Sequence, residues 1–475
     1  MLFSSLIFLY SFLPILLLAL LVLPKTWHNG WLLLASLIFY AWGGVSYTAI
    51  LILSILLNYG FGRWIAALGE KKRARSILIF GIGLNLIILL FFKYALFFLS
   101  QLNFGLKGLG VAPVALPKIV LPLGVSFFTF QGISYLVDVY RKTTAVQKRL
   151  DRLGLYIALF PQLIAGPIVR YHDLAGQLRT RNLGWGNIGQ GLERFIIGLS
   201  KKVLLANNFA IVADAIFSAQ PEGLSWSIAW LGVLVYALQI YFDFSGYSDM
   251  AIGLGRMFGF VIPENFNYPY IAKSVREFWR RWHISLSQWF RDYVYISLGG
   301  SRGSRNQTYR NLIVVFLLTG FWHGASWTFI CWGAFHGMFM LAERGRLGQW
   351  LTTSSQLLQH SYLLLVIGLS WVMFRAESLS YAIDYYLRLI GVGGQGEFQL
   401  NISSFLDWEF RIALLFGLVF SIPLTSQRFS AGVGEMVGRL SVGQVGRSFL
   451  LLLLFLWCTM ELANDSYNPF IYFRF

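Results

Sequence analysis

Uncharged apolar runs long enough to cross a bilayer recur along this chain, and nothing constrains its fold more. The first, LFSSLIFLYSFLPILLLALLVL, covers residues 2–23 without a single charge. A hydrocarbon core of about 30 Å needs roughly 20 apolar residues in helical form. Inside it every backbone N–H and C=O must be paired within the protein, which leaves helices or a closed barrel. Barrel strands would read as alternating segments of about ten residues, and continuous runs exclude them. Composition agrees: 57% of the residues are hydrophobic and 12% are charged, against about 25% charged in soluble domains. The expectation is an all-α polytopic membrane protein with about ten to twelve transmembrane helices. Residues 1–475 read as a single integral membrane domain without a soluble appendage.

Charge placement orients it. The segment GEKKRARS carries Lys71, Lys72, Arg73 and Arg75, and RKTTAVQKRLDR spans residues 141–152. Short basic loops face the cytoplasm. Spans expected near 3–23, 31–41, 47–67, 76–100 and 120–139 bring both loops to that face and put the N-terminus outside. Met1 to Leu23 lacks a basic n-region and a small-residue cleavage site, so it reads as a retained first span. The net charge of +17 is then a topological signature, and no nucleic-acid partner is expected. That face suits anionic lipid, a phosphorylated donor or an acidic carrier protein. Cys331 and Cys458 lie in apolar runs and read as packing residues. Neither a disulfide framework nor a metal site is expected.

The interior of the sequence is less regular. LYIALFPQLIAGPIVRYHD contains Pro161, Gly166 and Pro167 and reads as a re-entrant hairpin. Further runs lie near 190–215, 224–242, 248–262, 311–342, 362–376, 409–425 and 447–463. Asp138, Asp243 and Asp249 fall within spans, where carboxylates normally pair or face a cavity. Ion pairs that fix helices are favoured here over a proton path. In PENFNYPYIAKSVREFWRRWHISLSQWFRDYVYISLGG, Val275, Trp279, Trp282, Leu286 and Trp289 recur at helical spacing, with Arg276, Arg280 and Arg291 on another face. That pattern predicts one basic, tryptophan-rich helix at the membrane interface, with His283 on its apolar side.

The stretch TGFWHGASWTF places His323 among aromatics and glycines within an apolar run. A buried imidazole needs partners for its ring nitrogens or costs free energy, so His323 either hides a partner or does chemistry. His336 lies thirteen residues on. On one continuous helix the two would be about 20 Å apart, which makes His336 a structural or channel-lining residue. His28, His172 and His360 fall in or near loops and carry no assigned role.

In this order, FPQLIAGPIVRY, YFDFSGYSDMAIGLGRMFGF, PENFNYPY, REFWRRWHISLSQWFRDYVYISLGG and TGFWHGASWTFICWGAFHG resemble the membrane-bound O-acyltransferase superfamily. The likeness is closest to its bacterial alginate O-acetylation branch and extends to the teichoic acid D-alanyl transferases. Its core motifs occupy about 90–345. The resemblance implies a ring of tilted helices, with re-entrant and interfacial pieces, around a thin centre where funnels from the two faces meet. It further implies a bacterial inner-membrane enzyme passing an acetyl group from a cytoplasmic donor, acetyl-CoA, toward an extracytoplasmic polysaccharide such as alginate. No permanently bound cofactor is expected, and the implied partner is an extracytoplasmic SGNH-type acetyltransferase. The resemblance makes His323 catalytic and His283 its companion. Histidine suits a proton acceptor near neutral pH.

The ending SYNPFIYFRF also matches this group's aromatic motif at 470–475, with Phe470, Tyr472 and Phe475 in register. The resemblance implies that Tyr472 relays the acyl group; plain interfacial anchoring by aromatics is the competing reading. A phenol with an ordinary pKa near 10 needs a neighbouring base to act as a nucleophile. Two other functions fit parts of the pattern: D-alanyl transfer to teichoic acid, and a transporter built on broken helices.

Overall fold

Apolar runs become helices as expected, and the informative features are where those helices break or open. The computed structural model describes residues 1–68, 70–393, 402–423, 441–464 and 468, and helices supply all the regular structure among them. Six are long and apolar enough to cross a membrane: Val45–Ala67, Lys71–Gly108, Trp185–Ser218, Trp226–Met257, Gln356–Arg375 and Val445–Asn464. Phe8–Val22 and Trp327–Ala342 are shorter apolar helices. Burial separates the inner from the outer ones. Trp226–Met257 is 72% buried over its apolar window and Val445–Asn464 only 6%, so the first is the hub and the second presents its surface to lipid.

That hub corrects the sequence reading, which divided it into runs at 224–242 and 248–262. It is one helix of 32 residues. The polar stretch between the runs is no break, because its carboxylates are neutralised where they stand. Asp243 pairs with Lys202 at 2.8 Å, and Asp249 with Lys201 and Arg194, both at 2.7 Å. These are the helix-fixing ion pairs anticipated for intramembrane carboxylates.

Several helices open locally into π-turns, at Phe8–Phe12, Leu90–Tyr94, Lys201–Ala206 and Phe290–Tyr295. A π-turn accommodates one extra residue and often marks a functional site. Here three of them carry polar residues that are buried or half-buried: Lys93 with Tyr94, Lys202, and Asp292 with Tyr293. Tyr293 donates to Asp138 at 2.9 Å, and Asp292 pairs with Arg170.

The proline-rich segment is broken as expected, into Leu150–Ala158, a single turn at Phe160–Leu163, an extended stretch, and a turn at Tyr171–Leu174. It is almost wholly buried, so its irregular backbone needs side-chain partners. The Ile168 N–H donates to Ser285 Oγ at 2.9 Å, and Val169 O accepts from Tyr156 Oη at 2.9 Å.

Two expectations of continuity fail. The segment read as one interfacial helix is two pieces, Val275–Arg281 and Ile284–Trp289, interrupted where His283 adopts a left-handed conformation with φ of 42°. Trp279, Trp282, Trp289, Phe290 and Tyr293 are buried rather than spread at an interface. Helical spacing of aromatics reports a covered face, and protein covers this one. The run 311–342 is a hairpin, Arg305–His323 followed by Trp327–Ala342. Its arms touch through glycines: a Cβ on Gly320 would lie 2.2 Å from Phe329 O, and one on Gly333 2.3 Å from Phe316 O. Only residues without a side chain permit that approach.

Candidate active site

His323 is the last residue of the helix Arg305–His323. A helix C-terminus leaves four carbonyls without intrahelical donors. Here each finds one. Gly320 O accepts from the Gly324 N–H at 3.4 Å, and Phe321 O from Tyr94 Oη at 2.6 Å. Lys93 Nζ donates to Trp322 O at 2.6 Å and to His323 O at 3.0 Å. The Tyr94 ring also stacks on Phe321 with centroids 4.1 Å apart. A cation is favoured at this negative end of the helix dipole. The turn that carries His323 is therefore gripped from a helix more than two hundred residues away in sequence. Lys93 and Tyr94 escaped the sequence reading, although a lone lysine deep in an apolar run was the available signal.

The imidazole of His323 is 5% exposed and stands edge-on to Trp322, Trp332 and Phe374, with centroids 4.9, 5.1 and 5.3 Å away. Among the described residues neither ring nitrogen has a hydrogen-bond partner, and the Nε1 atoms of Trp322 and Trp332 are likewise unpaired. Each such buried polar atom costs about 1–3 kcal/mol. A group of them around one histidine is the mark of a site that pairs with something other than the protein. Lys93, Trp322 and His323 line a cavity of about 110 Å³ with Leu121, Gly124 and Ile164.

The structure brings two other histidines, His283 and His336, near the same place. His283 is fully buried, with its ring 6.1 Å from Trp322, so it and His323 flank one indole. His283 Nδ1 lies 3.2 Å from Asn265 Oδ1, and Nε2 has no partner. His336 is not about 20 Å from His323, because the hairpin folds its helix back. Both imidazoles pack on Trp332, His336 at 4.8 Å. His336 Nδ1 accepts from Trp279 Nε1 at 3.3 Å, a structural tie. Tyr472 lies outside the described residues. Asn468, four positions earlier, donates to Ser4 O at 2.7 Å and to Ser4 Oγ at 2.9 Å.

His172 also has a place that its loop position did not suggest. Its Nδ1 is 2.9 Å from Asp138 Oδ2, while Asp138 Oδ1 accepts from Tyr293 Oη. The hydrogen bond from Asp138 raises the His172 pKa above its usual value, outweighing the opposing effect of burial. This cluster lies at the basic end of the helix Val125–Arg141, where Arg141 donates to Asp292 O and Ser297 Oγ. Leu121 and Gly124, in the wall of the His323 cavity, lie at its other end. The cavity thus lies at the end of this helix away from the basic loop.

Residues 153–382 match the model of MBOAT, the membrane-bound O-acyltransferase family. The chain is 42% identical to a probable alginate O-acetylase of Pseudomonas putida and 40% identical to one of Pseudomonas aeruginosa, in each case over 100% of both chains. It is 39% identical to a peptidoglycan O-acetyltransferase of Helicobacter pylori over 86% of this chain and 83% of that protein. A teichoic acid D-alanyltransferase of Bacillus subtilis is 30% identical over 46% of this chain and 58% of its own length.

Proposed function

Since the chain belongs to the membrane-bound O-acyltransferase family and is an O-acyltransferase, we propose that it moves an acetyl group from a cytoplasmic thioester, acetyl-CoA, across the membrane for O-acetylation of an extracytoplasmic polysaccharide such as alginate. The observation that carries this reading is His323: a buried imidazole with both nitrogens unpaired, on a helix end whose carbonyls are all held. In the reaction His323 takes the proton of an attacking hydroxyl. The oxygen forms a bond to the thioester carbon, the C–S bond breaks, and the proton passes to the departing thiolate. His283, across Trp322, serves the same chamber.

Tyr472 is the first acceptor in this scheme, and an extracytoplasmic SGNH-type acetyltransferase takes the group onward to the sugar. Asn468 is tied to Ser4, and Ser4 follows Phe3, which stacks on Tyr247 at 4.7 Å. Tyr247 in turn comes within 3.5 Å of where a Cβ on Gly166 would lie, two residues from Ile164 in the cavity wall. Four residues of chain reach roughly 14 Å, and the tether at Ser4 supports delivery of the phenol from that side. End-to-end likeness to alginate O-acetylases supports acetate and a polysaccharide, whereas the D-alanyltransferases match over less than half of the chain.

The test is mass spectrometry of exopolysaccharide from cells carrying variants at equal membrane level. His323→Ala should remove the acetate, and Tyr472→Phe should do so while keeping the ring. Wild-type acetate in His323→Ala would end the reading. Unaltered acetate in Tyr472→Phe reduces Tyr472 to an anchor.

A further inference from the structure

The tautomer of His283 can be read from its surroundings. Asn265 Oδ1 accepts from the Ser285 N–H at 3.2 Å and from Ser285 Oγ at 2.8 Å, while its Nδ2 donates to Ser248 Oγ at 3.1 Å. A backbone N–H can only donate, so the amide atom facing it is the oxygen, and the usual ambiguity of an asparagine flip is removed. His283 Nδ1 faces this same oxygen at 3.2 Å. Two lone pairs would repel, so Nδ1 carries hydrogen. Among the described residues no carboxylate is bonded to this fully buried ring, which leaves it the neutral form with one proton. Nε2 is then a bare lone pair, and among the described residues it has no partner.

The backbone around the ring is held by the same asparagine. His283 sits at φ 42° and ψ 55°, a left-handed conformation that costs a non-glycine residue about 1–2 kcal/mol and persists only where neighbours enforce it. The Ile284 N–H donates to Asn265 O at 3.0 Å, and Asn267 N to Arg281 O at 2.9 Å. Ser285 Oγ, besides donating to Asn265, accepts from Ile168 N. One residue therefore clamps the turn that aims the imidazole and also selects its proton position.

We infer that Asn265 is a positioning residue that presets His283 as a proton acceptor, with hydrogen on Nδ1 and an unpaired Nε2 lone pair on a ring near Trp322. This rests on the acyl-transfer reading and narrows it. The group that meets Nε2 must bring its own hydrogen, as a hydroxyl or a thiol does. A thioester carbonyl or an oxyanion cannot be that partner, since both need a donor. His283 is thereby excluded as a donor to the oxyanion or to the departing thiolate, and its partner is a hydroxyl or the thiol formed once the sulfur has been protonated.

Solid-state ¹⁵N NMR of histidine-labelled protein, with His283→Gln to identify the signal, should show His283 protonated on Nδ1 and bare on Nε2. Asn265→Leu removes the acceptor and should lower polysaccharide acetate by roughly 10²–10⁴-fold, the usual contribution of a positioned acid–base group. Asn265→Asp keeps an acceptor in place, with Ser248 Oγ now able to donate to it, and should recover most of that loss. A wild-type spectrum with the proton on Nε2 overturns the inference, as does wild-type acetylation in Asn265→Leu. If Asn265→Leu fails to accumulate, the wild-type spectrum and Asn265→Asp still decide. A wild-type protein that supports no acetylation removes the proposed function instead, and leaves the tautomer to be judged by the spectrum alone.

Discussion

Replacing Lys93 with methionine should separate holding the His323 turn from holding the fold. The substitution keeps a chain of similar length and deletes the ammonium that binds Trp322 O at 2.6 Å and His323 O at 3.0 Å. Hydrogen bonds to charged groups contribute about 1.5–3 kcal/mol each, so the pair accounts for about 3–6 kcal/mol. Against this stands the several kcal/mol needed to take an ammonium out of water, a cost that methionine does not carry. The two nearly cancel, and the melting temperature should move by only a few degrees. Position has no such compensation. Without its cap the last turn shifts, and a displacement of about 1 Å can cost 10²-fold in rate. Lys93→Met should therefore lose about 10–100-fold of polysaccharide acetate at near-normal stability. Tyr94→Phe is the complement: it keeps the 4.1 Å stack on Phe321 but strips the donor from a buried carbonyl, at about 1–3 kcal/mol. It should show more in stability than in activity, because Lys93 still holds the last two carbonyls. Fluorescence-detected gel filtration after heating reads stability, and acetate per unit of membrane protein reads activity. Wild-type acetylation in Lys93→Met, or its outright unfolding, refutes the reasoning.

Gly333→Ala should weaken the hairpin by about 1–3 kcal/mol or more and lower acetylation, since its Cβ meets Phe316 O at 2.3 Å; Gly337→Ala, with its nearest atom at 3.3 Å, should be mild. Lys202→Met breaks a buried pair with Asp243 and should cost about 3–5 kcal/mol, visible as low membrane abundance that Asp243→Leu partly restores. Because Asp138 raises the His172 pKa, their pairing stabilises the fold fully below the ordinary histidine value near 6.5 and is lost as pH rises through the raised value. Melting temperature should fall as pH rises from about 6.5 through that raised value, and a slope that persists unchanged in His172→Gln would disprove the link.

Residues that announce themselves locally were legible, and those that act at a distance were not. The uncharged runs located the helices, and Pro161 with Pro167 located the broken segment, because bilayer length and proline geometry are written in consecutive residues. The motif around His323 marked a buried imidazole beside a cavity in the same local way. By contrast, the spacing of Trp279, Trp282, Leu286 and Trp289 is the same for one helix and for two pieces in register, so the left-handed turn at His283 left no trace. His336 was misplaced for a related reason: distance along a presumed helix says nothing once the chain turns back at Gly324. Lys93 and Asn265 act on residues that lie far away in sequence or depend on a particular turn, and no periodicity encodes such contacts.

The π-turns make these helices sensitive to length in a way that substitution would not reveal. Removing one residue from Leu90–Tyr94 would close the turn into regular α-geometry, because the turn exists to absorb that residue, and would shift Lys93 and Tyr94 out of place against the His323 turn. The same holds at Lys201–Ala206 for Lys202 and at Phe290–Tyr295 for Tyr293. Chains built on this plan can exchange side chains freely over their lipid-facing surfaces. A single-residue gap or insertion near these three turns, however, should be selected against, so that length variation collects in the connecting loops.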